Sequence, residues 1–184
     1  MLRDVVARAV DFQAPQLVTL VGNRGTGKSR LVAELVRGLA APVRVHHGRA
    51  RAGEPGSALA SILRDRFVLT GSGADVTARF ADAVAAIFGE AAAPDVLHCL
   101  GRFIGLDYPA SPFLQVVADN PRHADELART ALRRLIELDA GAAPLVLVFD
   151  DLHAADDHTL TILTELAAAL GGSPVVISRE RTRG

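Results

Sequence analysis

Apolar and polar positions along the chain follow two alternating periods, and the switches between them mark its elements. Leu2, Val5, Val6, Ala9 and Val10 recur at helical spacing, and Gln13-Ala14-Pro15-Gln16 breaks that helix before a continuous apolar strand, Leu17–Val21. A helical stripe of Leu31, Val32, Leu35, Val36 and Leu39 follows and stops at Ala41-Pro42. Val43–His47 has the composition of a second strand, and the Gly-, Arg- and Pro-containing stretch from Gly48 to Gly56 that of a loop. Helical periods return at 58–67, 76–88 and 96–104. Asn120-Pro121 has the form of a cap followed by proline in the first turn, and it opens a long helix with the stripe Leu127, Ala131, Leu132, Leu135, Ile136 and Leu138, ending at Gly141. Its charged residues, among them Arg129, Arg133 and Glu137, fall on the other side, as on a solvated face. Pro144–Phe149 is apolar throughout, as in a parallel strand buried on both faces. A last helix, with Leu160, Leu163, Leu166, Ala167 and Leu170, precedes the strand Pro174–Ser178.

Strands that alternate with helices predict an α/β domain with a mainly parallel sheet. At 184 residues the chain is long enough to bury a real core as one domain, 1–184, with residues 57–120 as a helical insertion within it. Twenty basic against twenty-one acidic side chains leave no overall charge to favour nucleic acid or an anionic membrane. No apolar run approaches the length of a membrane span, and Arg3, Asp4 and Arg8 interrupt any secretory leader, so the cytoplasm is the expected location. The single cysteine, Cys99, has the surroundings of a core thiol.

Candidate chemistry starts between the first strand and its helix. Gly22-Asn23-Arg24-Gly25-Thr26-Gly27-Lys28-Ser29 satisfies G-x-x-x-x-G-K-[ST] in the context the motif requires, strand before and helix after. Glycines allow the positive φ angles that turn successive N–H groups inward as an anion cradle, and the opening helix adds its free N–H groups. Residues Gly22 to Ser29, with Arg30 beside them, are the expected nucleotide-binding set. Lys28 is placed to reach the β and γ phosphates, and the Ser29 hydroxyl to ligate Mg²⁺.

The second half of the site is expected where Leu145–Phe149 runs into Asp150-Asp151. Asp150, at the strand tip, is the candidate to hold Mg²⁺, and Asp151 the candidate to orient or deprotonate the attacking water. Asp156 or Asp157 is expected to cap the next helix. His153 is read as a polar group near the γ-phosphate rather than a metal ligand, because an Mg²⁺-nucleotide site wants oxygen donors. His46 and His47 are adjacent in a strand and point to opposite faces, a poor arrangement for sharing a metal. Arg49 and Arg51 read either as phosphate or subunit contacts or as solvated loop residues, the second being favoured.

Three stretches together, 22–35, 145–157 and 175–179, give the chain a resemblance to the STAND and AAA-like ATPase domains that accompany LuxR-type regulators, bacterial Ser/Thr kinases and nucleotide cyclases. The resemblance implies a three-layer P-loop NTPase fold of the ASCE type with strand order 5-1-4-3-2 and the helical insertion between strands 2 and 3. It also implies ATP and Mg²⁺ at the carboxyl ends of the strands, and nucleotide state controlling a partner or self-assembly. At the end of the fourth strand such domains carry a polar or basic sensor facing the γ-phosphate. Ser178 and Arg179 hold that position, although Arg179 equally fits a solvated tail. Relatives show an aromatic residue where Ala154 stands. The upstream Gly-Arg segment that helps hold adenine is not visible, and neither is a fifth strand, which would leave Leu17–Val21 as an open edge. The expectation is therefore a piece of a longer protein, with its other domains as partners.

Three functions fit these features. The first is an ATP-binding, slowly hydrolysing signalling or transcription-regulatory switch, with Lys28, Asp151 and Arg179 as catalytic residues and Ser29 and Asp150 on the metal. The second is a remodelling or nucleic-acid-loading ATPase, and the third a non-catalytic interaction module that keeps the fold. Balanced charge and the missing DNA-binding motif count against loading.

Overall fold

A computed structural model of the chain describes residues 2–21, 26–38, 43–108, 120–171 and 175–181. In chain order these form α1 (Leu2–Asp11), β1 (Gln16–Val21), α2 (Lys28–Arg37), β2 (Arg44–Arg49), α3 (Ser57–Arg66), α4 (Ala74–Phe88), α5 (Ala93–Ile104), α6 (Pro121–Ala142), β3 (Leu145–Asp150), a short 3₁₀ turn (Leu152–Ala154), α7 (Asp157–Ala169) and β4 (Val175–Arg181).

The four strands make one parallel sheet in the order β1-β4-β3-β2. That is the implied 1-4-3-2 arrangement, with β4 inserted between the strand that leads into the glycine loop and the strand that ends in acids. Among the described strands β1 and β2 are the edges.

β3 is buried on both faces, and its alternation separates two layers of helix. Val146 and Val148 pack with Val6 and Ala9 of α1 and Val32 and Leu35 of α2. Leu145, Leu147 and Phe149 face the larger core, with Leu59 and Leu63 of α3, Phe80 of α4, Leu100 of α5, Leu132 and Leu135 of α6 and Leu166 of α7. The insertion after β2 therefore covers a sheet face. In the α2 stripe, Leu31 departs from the expected core pattern and is 49% exposed. Cys99 is buried, and burial raises its thiol pKa.

β2 is longer than its sequence suggests. The expected loop starts at Gly48, but Gly48 and Arg49 pair with Phe149 and Asp150 as the end of the strand. Gly48 is there because α3 lies hard against it: an added Cβ would stand 2.8 Å from the Ala58 carbonyl oxygen and 3.1 Å from Ile62 Cβ and Phe149 Cδ1. A glycine that reads as a turn signal is instead a point of close approach.

At the opposite, amino edge of the sheet a charge is buried. Asp139 of α6 is bound by Arg66 at the end of α3 through Nε–Oδ2 at 2.5 Å and Nη2–Oδ1 at 2.6 Å, and by Arg44, the first residue of β2, at 3.2 Å. This clamp ties α3, α6 and β2 together. The charged side of α6 is also less free than expected: Arg129 reaches Glu165 of α7 at 2.7 Å, and Asp125 lies 3.5 Å from Arg102 of α5.

Candidate functional site at the carboxyl edge

Because all four strands are parallel, β1 and β3 end at the same edge, where helix N-termini and loops gather. The register aligns Thr19, Arg179 and Phe149 across β1, β4 and β3. One residue further along β3 is Asp150, and two residues beyond Thr19 is Val21, the last residue before the glycine loop.

Gly22, Asn23, Arg24 and Gly25 lie outside the described residues, as do the side chains of Ser29, Ser178 and Arg179. The loop re-enters at Thr26 and Gly27. Gly27 is the N-cap of α2 in the left-handed region, φ 83 and ψ 19, and its carbonyl accepts from Leu31 N at 2.9 Å. A Cβ there would meet nothing within 4 Å, so the backbone angle and not crowding requires glycine. Lys28 is the first residue of α2, with Ser29 and the exposed Arg30 next. Gly27 offers no side chain to cap this N-terminus, where the positive end of the helix dipole lies.

Asp150 ends β3 with its side chain 23% exposed, and Asp151 is 48% exposed. Asp151 has φ 56, a left-handed conformation that aspartate tolerates better than most residues. It turns the chain sharply off the strand, and its carbonyl accepts from Ala154 N at 2.8 Å.

Arg49 is the residue sequence reasoning undervalued. As the partner of Asp150 in the ladder, it places its guanidinium between both acids, Nη2 3.8 Å from Asp150 Oδ2 and Nε 3.6 Å from Asp151 Oδ2. It offsets the repulsion of adjacent carboxylates at distances too long for tight hydrogen bonds. The signal that could have found it is Gly48, whose reading as a loop start took Arg49 out of the strand. Arg51, in contrast, pairs with Glu54 at 3.3 Å and is 67% exposed.

Asp156 is the cap of α7, accepting from Thr159 N at 2.9 Å and Thr159 Oγ1 at 2.7 Å. It also accepts from Gly56 N at 2.8 Å. Burial works to raise its pKa, but the hydrogen bonds from Gly56 and Thr159 outweigh it and hold the carboxyl at about 2. His153 is exposed. No group of three or more His, Cys, Asp or Glu suited to a metal occurs among the described residues, and no described helix is long and apolar enough to cross a membrane.

A parallel sheet with a glycine loop after β1, an acid pair after β3 and an interposed β4 defines the class of P-loop nucleotide-binding domains. Within that class the chain belongs to the AAA ATPase domain family, whose model matches residues 1–178. No curated protein matches it.

Proposed function

We propose that this domain binds ATP with Mg²⁺ and hydrolyses it slowly, as a nucleotide-dependent switch in a signalling or transcription-regulatory protein. The observation that carries the reading is the parallel register, with the loop after β1 and the acids after β3 at one edge and β4 between them. Family membership supports ATP as the ligand.

The donor set suits a hard cation: a carboxylate at a strand tip, 23% exposed, and a serine hydroxyl in sequence, both oxygen donors. Ser29 and Asp150 would hold the Mg²⁺, which when bound neutralises phosphate charge. The amides of the loop and of the first turn of α2 receive the phosphates, and Lys28 adds a positive charge to them. Asp151 accepts a proton from, or orients, the attacking water. Arg179 is the candidate to stabilise charge developing on the transferred phosphoryl group. The balanced overall charge favours a switch over a nucleic-acid loader.

ATP affinity and turnover of wild type, Lys28→Ala and Asp151→Asn test these roles. The first variant should lose binding, and the second should keep binding and lose turnover. Unchanged behaviour in both would reject the assignment.

A further inference from the structure

Two segments leave the carboxyl edge side by side, residues 49–57 after β2 and 150–156 after β3, and two hydrogen bonds join them into a closed frame. Ala50 N donates to the Asp150 carbonyl at 3.1 Å, and Gly56 N donates to Asp156 Oδ2 at 2.8 Å. Between those closures the β2 side is braced internally. Glu54 N donates to the Arg51 carbonyl at 3.1 Å, Ser57 N to the Glu54 carbonyl at 3.2 Å, and Arg51 N to Ser57 Oγ at 2.8 Å. On the β3 side the 3₁₀ turn closes through Ala154 N to the Asp151 carbonyl. Arg49, Asp150 and Asp151 all sit at one side of this frame.

A helix cap needs one acceptor oxygen, and Asp156 Oδ1 supplies it to Thr159 N. The second oxygen accepts from Thr159 Oγ1 at 2.7 Å and also reaches across 100 residues of sequence to the amide of Gly56, the N-cap of α3. With that bond broken, the hydrogen bond left between the two segments is Ala50–Asp150, beside the loose Arg49 contacts with Asp150 and Asp151 and the packing of Leu152.

We propose, on the nucleotide-site reading above, that Asp156 is a positioning residue for the acid pair: by bonding Gly56 it locks the two strand-end segments together and so holds Asp150 and Asp151 in place for a metal-bound nucleotide. It touches neither metal nor nucleotide. Its effect is confined to the part of the affinity that the metal supplies, because the loop and Lys28 are carried by β1 and α2, outside the frame.

The test uses the whole chain, Asp156→Ser and Asp156→Asn, and a fluorescent ATP analogue titrated with and without Mg²⁺. Serine and asparagine still cap α7; serine is too short to span to Gly56, and asparagine gives up one acceptor oxygen. Val84→Ala, in the core of α4, serves as a control that lowers stability away from the site. In both Asp156 variants the Gly56 amide should exchange faster with solvent. The tightening produced by Mg²⁺ should fall by up to about tenfold, the smallest loss expected when a group bonded directly to a metal ligand is removed, since Asp156 acts through Gly56 and not on Asp150 itself. Metal-free affinity should stay within about twofold, as expected of distant sites, and the control should keep the full Mg²⁺ response.

An unchanged Mg²⁺ response with a deprotected Gly56 amide would overturn the proposal. So would an equal loss in the control, or a Gly56 amide that exchanges alike in all forms. A wild-type chain that binds no ATP analogue would instead contradict the nucleotide-site reading itself.

Discussion

The two edges of the sheet use the same side chains for opposite ends. At the amino edge Asp139 is 7% exposed and saturated by Arg66 and Arg44 at hydrogen-bond distances. At the carboxyl edge Arg49 lies 3.6 and 3.8 Å from Asp151 and Asp150, more than half exposed and able to move away. A buried, fully bonded ion pair holds elements together, and removing one partner strands the other charge. A loose, solvated pair contributes little to stability and leaves its oxygens available to a ligand. Backbone strain divides the same way. Asp151 and Val68 both have positive φ, 56 and 53, but Asp151 carries an acid at the site, whereas Val68 is 68% exposed and follows the clamp residue Arg66 by two positions.

The largest expected effect is at the amino edge. Asp139→Ala should destabilise the fold by about 3 kcal/mol, the lower end for a broken buried pair because Arg44 is 43% exposed. Denaturant unfolding measures it; a loss under about 1 kcal/mol would erase the contrast between the edges. Nucleotide affinity of the folded protein should be unaffected.

Val68→Gly should raise stability by about 1 kcal/mol, since a β-branched residue in the left-handed region is strained and glycine there is not. Destabilisation would mean that the valine side chain contributes packing its exposure hides.

Protonation adds a third test. His46 Nδ1 in β2 donates to Asp65 Oδ2 at 3.1 Å, and burial lowers its pKa despite that carboxylate. The unfolded chain therefore takes up this proton first as pH falls, so stability that is fully present above the ordinary histidine range is lost as pH falls through and below it. His46→Gln should flatten that decline while leaving a second, more acidic loss from Asp156, present above its ordinary carboxyl range and lost as pH falls towards about 2. An unaltered profile in His46→Gln would remove the assignment.

The smallest effect is expected at Arg49. Arg49→Gln should change stability by no more than about 1 kcal/mol, as for other exposed pairs. A larger loss would make the carboxyl edge as structural as the amino edge.

Much of this architecture is legible in the sequence because apolar periodicity and the loop motif are local signals. Asn120 caps α6 by accepting from Arg122 N at 3.1 Å, as its dipeptide with Pro121 suggests. The continuous apolar run of β3 is buried on both faces, and strand order follows from the family resemblance. What escapes is long-range. The Asp139 clamp joins residues 73 and 95 positions apart, and a charged residue in an amphipathic helix gives no sign that it faces inward. The end of β2 is misjudged because glycine serves both turns and tight packing, and only the presence of α3 decides between them. Asp156 reads correctly as a cap, but its second bond, to Gly56, has no local signature.

In the proposed function Asp150 acts with the glycine loop on one metal-bound nucleotide. The direct measurement is ATP affinity with and without Mg²⁺ in wild type and Asp150→Asn. Wild type should bind ATP more tightly with Mg²⁺, and the variant should bind without regard to it. An equal Mg²⁺ response in the two proteins, or no ATP binding by wild type, would contradict the account.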